Sequence, residues 1–238
     1  MNATPLNLFH IKICGVRKLD DIAVVAESGA DAIGLNFFPP SVRFVPPGDD
    51  ATRALAARAT ELGLKVVGVF VNEQPADVCA VAKQVGIDAI QLHGDETIQT
   101  ARQIRESIDL PMIRAIKLPV DGLSAELVEE RSRPWIDLGI QLLFDADAGR
   151  AHGGSGKQLD WMVIREWTQR FGTLSLENGE TKSTARWTLA GGLHPENVSE
   201  AMETSRASSV DTASGVEEPK GVKSAVLIRR FVEACKAA

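Results

Sequence analysis

The chain has 238 residues, 44% of them apolar and 24% charged, the composition of a globular protein long enough to bury a large core. A formal net charge of −6 argues against non-specific nucleic-acid binding, although local loops can still receive an anion. No apolar run is long enough to cross a bilayer, and the first ten residues, MNATPLNLFH, lack the basic and apolar blocks of a signal peptide. A cytoplasmic location follows as the expectation. The three cysteines show no paired spacing, which excludes a disulfide framework and a zinc pattern. With no tyrosine in the chain, proton transfer falls to Asp, Glu, His, Cys or Lys.

Eight short apolar or β-branched runs predict strands. The first is IKICGV from Ile11, and a helical pattern follows with Leu19, Ile22, Ala23 and Ala26 on one face and Gly29 as its stop. AIGLNFF from Ala32 and KVVGVFV from Lys65 come next. Pro75 then opens a helix whose stripe is Val78, Val81, Ala82 and Val85, and Gly86 closes it. The remaining runs are AIQLHG from Ala89, MIRAIKL from Met112, QLLFDA from Gln141, WTLAGGL from Trp187 and SVDTASGV from Ser209.

Alternating strands and helices call for a parallel sheet. Eight such units in about two hundred residues favour closure into a single (β/α)8 TIM barrel, with an open doubly wound sheet as the second choice. No linker interrupts the pattern, so residues 1–238 are read as one domain. The wide gap is the 46 residues from Gln141 to Trp187. It holds DAGRAHGGSG, read as a mobile loop, and LENGETKSTAR, read as a surface insertion near 174–186.

Side chains alternate along a strand, so parity sorts them between barrel interior and helix-facing surface. Ile11, Ile13, Ile33, Leu35, Ile90, Leu92, Leu142, Phe144 and Val210 share the outward parity. Lys12, Cys14, Gly34, Asn36, Gln91, His93, Leu143, Asp145 and Asp211 share the inward one. Inward polar groups are costly unless they bond one another or bind something. Their position at the carboxyl ends of strands is where barrel enzymes keep their sites. The structural alternative is a barrel plugged by a Lys12–Asp211 ion pair.

With these residues in place, the sequence resembles the phosphoribosylanthranilate isomerase family of tryptophan biosynthesis. The segments that carry the likeness are KICGV at Lys12–Val16, SGADAIGLNFFPPSVRFV at Ser28–Val45, GVFVN at Gly68–Asn72 and QLHGDE at Gln91–Glu96. LLFDA with GGSGKQLDW, then LAGGLHPENV and VDTASGVE, follow in the family's order. Single segments are weak signals; the ordered set is specific. Three departures stand out: Ala213 before Ser214 where two serines are usual, Arg150 and His152 after the sixth strand, and the long polar stretch Leu174–Arg186.

The resemblance implies an Amadori rearrangement of N-(5'-phosphoribosyl)anthranilate, an aminoaldose, to the 1-deoxyribulose ketose. An acid protonates the ring oxygen, and a base removes the proton from C2. No metal or other cofactor is expected. Cys14 is implied as the base, provided a positive neighbour such as Lys12, or backbone dipoles, favour its thiolate. Asp145 is implied as the acid, with Asp147 the nearest competitor by parity. Arg43 is the candidate for the substrate carboxylate, because a guanidinium binds such groups through two parallel hydrogen bonds.

The phosphate is assigned to the loops after the seventh and eighth strands, at Gly191, Gly192, Ser214 and Gly215, helped by a helix starting near Pro195. Gln91 and His93 are expected to orient the sugar or the acid, and Asp211 to support Cys14 or Lys12. GGSGK at Gly153–Lys157 fails the nucleotide-binding pattern and is read as a loop able to cover substrate. Cys79 and Cys235 lie in helical patterns, Cys235 on the stripe of Ala225, Ile228 and Val232, and both read as packing; the remaining histidines show no ligand spacing. The expected partner is a small phosphosugar, with no nucleic acid and no membrane, and the chain acting as monomer or homodimer. Two other readings stay open: another phosphosugar barrel enzyme such as indole-glycerol-phosphate synthase, or a non-catalytic phosphosugar-binding barrel.

Overall fold

The computed structural model describes residues 7–146, 158–174 and 183–238. Its strands are β1 (Ile11–Cys14), β2 (Ala32–Asn36), β3 (Lys65–Phe70), β4 (Ala89–Leu92), β5 (Met112–Leu118), β6 (Gln141–Ala146), β7 (Trp187–Leu189) and β8 (Val210–Thr212). Between and after them lie α1 (Leu19–Ser28), α2 (Asp50–Glu61), α3 (Pro75–Val85), α4 (Ile98–Ser107), α5 (Ala125–Ile136), α6 (Trp161–Arg170), α7 (Val198–Ser205) and α8 (Ala225–Ala237). All neighbouring strands run parallel, and β1 pairs with both β2 and β8, so the sheet closes on itself as a TIM barrel.

The period-two reading of the strands holds throughout. Ile11, Ile13, Ile33, Leu35, Ile90, Leu92, Leu142, Phe144 and Val210 pack in the layer between barrel and helices. A smaller interior core joins Phe9, Ala32, Val67, Ala89, Ile113, Ala115, Leu143 and Ala190. Adjacent strands share parity at each register step, so Lys12 sits beside both Ala32 and Asp211, and Cys14 beside Gly34. That register brings polar residues from distant parts of the sequence to one end of the barrel.

Local signals set several helix ends. Gly29 and Gly86 follow α1 and α3 with φ of 83° and 77°, where a side chain would be strained. Pro75 occupies the first turn of α3, where a missing amide costs nothing. Two expectations need correction. The buried face of α1 is Ile22 and Val25, while Leu19, its first residue, is 49% exposed because the helix begins at the rim before reaching the sheet. The helix expected near Pro195 begins at Val198, after a turn held by Asn197, which accepts from the His194 amide and donates to the Gly192 carbonyl.

The surface insertion is described only at its base. Thr173–Leu174 pairs antiparallel with Ser183–Thr184, outside the barrel sheet. The remainder of LENGETKSTAR, and the expected covering loop with Asp147, Arg150, His152 and Gly153–Lys157, lie outside the described residues.

Candidate active site

A cavity of about 430 Å³ opens at the carboxyl ends of the strands. Cys14, Arg43, Gln91, His93, Asp145, Gly191, Gly192, Asp211 and Ser214 all line it, so nine of the ten residues singled out above meet around one space. Gly215 does not. It sits behind the wall, where a Cβ would collide with the Leu193 carbonyl and lie 2.9 Å from Thr212 Oγ1. Its small size lets the loop after β8 pack on the loop after β7.

Cys14 ends β1 with only 8% of its surface exposed. A Cβ on Gly34 would lie 2.6 Å from its sulfur, so the glycine across the ladder makes room for the thiol. Beneath it Lys12 is fully buried and meets Asp211 at 2.8 Å. Burial pushes the Cys14 thiol up, the Lys12 cation pulls it back, Asp211 pushes it further up, and Lys223 and Arg43 also pull it down. Burial wins, so the thiol lies above its ordinary range. The positive neighbour expected in Lys12 is present and pulls the thiol down, but it does not outweigh burial. Burial by itself would lower Lys12, but Asp211 and Cys14 outweigh it, so the lysine stays a cation.

Asp145 lies across the cavity at the end of β6. Its Oδ2 is 3.5 Å from His93 Nε2, and His93 Nδ1 is 3.0 Å from Gln91 Nε2. Donation by the amide puts the ring proton on Nε2, facing the Asp145 carboxyl. Gln91 is 1% exposed, a rigid base for this chain. Gly191, with φ of 83°, closes over Asp145: a Cβ there would stand 3.0 Å from Oδ1 and 2.6 Å from the Ala146 nitrogen. With Gly192 at φ 67°, the turn presents bare backbone to the cavity.

Arg43 differs most from expectation. Its guanidinium is neither solvated nor open along its Nε edge: Nε and Nη2 donate to the two oxygens of Glu217 at 2.6 and 2.7 Å. Only the opposite edge remains for a ligand. The backbone that delivers it is organised by Asn36, which accepts from the Phe38 amide, and by Ser41, which accepts from the Arg43 amide. Phe38, Pro40, Val42, Val69 and Val71 supply an apolar wall beside it. Glu217 and Lys223 were missed by sequence reasoning. They are six residues apart in an irregular loop, where no periodicity signals a contact.

Among the described residues no cluster of His, Cys, Asp and Glu has the geometry to hold a metal ion, and no helix is long and apolar enough to cross a membrane.

The fold and the site define a (β/α)8 barrel with a thiol and a carboxyl set around one cavity at its catalytic face. Residues 11–234 match the model of the N-(5'-phosphoribosyl)anthranilate (PRA) isomerase family, and the chain belongs to that family. It is 37% identical over 229 residues to the N-(5'-phosphoribosyl)anthranilate isomerase of Thermotoga maritima, covering 96% of this chain and 99% of the relative. The isomerase of Ralstonia nicotianae is 37% identical over 235 residues, with 98% and 95% covered. The crystal structure of the Thermotoga maritima enzyme superposes with a TM-score of 0.77 at 33% identity, covering 97% of this chain and 100% of that one. A phosphoribosyl anthranilate isomerase in complex with reduced 1-(o-carboxyphenylamino)-1-deoxyribulose 5-phosphate gives 0.74 at 32% identity, again with 97% and 100% covered.

Proposed function

We propose that this chain isomerises N-(5'-phosphoribosyl)anthranilate to 1-(2-carboxyphenylamino)-1-deoxyribulose 5-phosphate, the aldose–ketose step of tryptophan biosynthesis. The observation that carries the reading is the pair Cys14 and Asp145 lining one cavity of the size of a small ligand site.

Asp145 gives its proton to the furanose ring oxygen, the C1–O bond breaks, and the nitrogen lone pair forms an iminium. Cys14 then removes the proton from C2, and those electrons neutralise the iminium as an enolamine. Transfer of the enol proton to C1 completes the ketone, so the net change is an isomerisation with no redox partner. His93, oriented by Gln91, faces Asp145 and steers its carboxyl. The thiolate that does this work forms in the field of Lys12, Lys223 and Arg43. Three basic groups stand beside the carboxylates of Asp211 and Glu217 in this cluster, so a Cys14 anion formed during turnover is met by positive charge. Gly191, Gly192 and Ser214 receive the phosphate, the apolar wall receives the anthranilate ring, and the open edge of Arg43 receives its carboxylate. The enzyme acts in the cytoplasm, as monomer or homodimer, without a nucleic-acid partner.

The test generates phosphoribosylanthranilate in situ and follows the loss of its anthranilate-type fluorescence. Wild type should turn over and Cys14→Ser should fall by about 10²–10⁴, the usual contribution of a positioned base. Inorganic phosphate should compete with substrate. An inactive wild-type protein, or full turnover by the serine variant, would reject the reading.

A further inference from the structure

Glu217, in the loop after β8, takes part in none of these steps, yet its side chain is 1% exposed and heavily bonded. Arg43 Nε and Nη2 donate at 2.6 and 2.7 Å, Lys223 Nζ at 2.8 Å, and the Gly221 amide at 2.8 Å. Burying a carboxylate is costly unless its oxygens are satisfied, and here both oxygens take two bonds. The two parallel bonds fix the plane of the guanidinium as well as its place. The stem of Arg43 is also confined, because it packs where any Cβ on Gly15 would collide with its Cδ. Arg43 lines the cavity, whereas Glu217 stands behind it. The carboxylate therefore uses up the Nε edge and leaves the Nη1–Nη2 edge in one fixed orientation.

We propose that Glu217 is a positioning residue, clamping Arg43 so that its second edge meets the carboxylate on the aromatic end of the substrate. The inference rests on the function proposed above and names the determinant that selects a carboxylated ring. Lys223, which also donates to the Ala213 carbonyl at 2.8 Å, ties the same carboxylate to the start of the β8 loop. The clamp thus joins the loops after β2 and β8.

The experiment titrates wild type and Glu217→Gln with reduced 1-(o-carboxyphenylamino)-1-deoxyribulose 5-phosphate, and with the same compound lacking the ring carboxyl. Glu217→Gln should bind the first about tenfold more weakly and the second within twofold of wild type, with inorganic phosphate competing equally well. In an Arg43→Ala background the Gln substitution should add no further loss. Equal loss for both compounds would reduce Glu217 to a general brace of the mouth, and no loss for either would deny it any role. Both results overturn the proposal. Should Glu217→Gln fail to fold, Glu217→Asp, which keeps the charge but shortens the arm, must show the same selective loss or the clamp is wrong. A wild-type protein that neither binds the carboxylated compound nor turns over phosphoribosylanthranilate defeats the proposed function itself. An active wild type with an indistinguishable Gln variant defeats only the clamp.

Discussion

Gly34→Ala tests the site through a residue with no functional group. A Cβ built there would lie 2.6 Å from Cys14 Sγ, 3.1 Å from its Cα and 3.3 Å from its Cβ. Ordinary contact between such atoms needs about 3.5–4.0 Å, so the sulfur must move by about 1 Å. The substitution adds one methyl to a packed strand pair, a change that costs about 1–3 kcal/mol in stability. For a domain this long each kcal/mol lowers Tm by about 2–4 °C, so the variant should remain folded at room temperature. A 1 Å misplacement of a reacting group costs about 10²-fold in rate. The fluorescence assay should therefore show kcat/KM down by about 10²-fold beside a Tm lowered by only several degrees. Unchanged kcat/KM in a folded Gly34→Ala protein would mean that the Cys14 sulfur does not work where β1 places it.

Three further outcomes are expected. Asp145→Asn should lose about 10²–10⁴ in kcat while retaining affinity for inorganic phosphate, because the amide has no proton to give; steady-state kinetics with phosphate competition checks both halves. Lys12→Met should shift the limb of kcat/KM that reports the base to higher pH, since burial and Asp211 already raise the Cys14 thiol and only Lys223 and Arg43 would remain to lower it. A pH–rate profile that stays in place would remove Lys12 from the activation of Cys14. Glu217 is itself pushed up by burial but held at about 2, from an ordinary 4.5, by Arg43 and Lys223. Its folded value is depressed, so the stability it contributes is fully present above about 4.5 and is lost as pH falls toward about 2. Denaturant melts of wild type should weaken across that window, and those of Glu217→Gln should be weaker at neutral pH but flatter through it.

Period and punctuation alone determined a good deal. Alternation along eight runs sorted Cys14, Gln91, His93, Asp145 and Asp211 to the interior, because a strand repeats every two residues whatever its neighbours are. Gly29, Gly86 and Pro75 marked helix ends, because backbone conformation at those residues is local. Leu19 belongs to α1 as expected but is exposed rather than on its buried face, since the exposure of a first turn depends on where the helix meets the sheet. Ordered motifs also carried the family likeness, and with it the implied roles of acid and base.

Other features needed the closed barrel. The state of the Cys14 thiol is a contest between burial and charges brought in from β1, β8 and two loops, and no sequence window contains those groups together. Arg43 and Glu217 are 174 residues apart, and only closure of β1 onto both β2 and β8 makes their loops neighbours. Glycine in a loop signals close approach without saying to what, and at Gly215 the structure shows that approach to be to the Leu193 carbonyl. Short-range geometry is written into the order of residues, whereas electrostatics and long-range pairing depend on distances that exist only after the chain has folded.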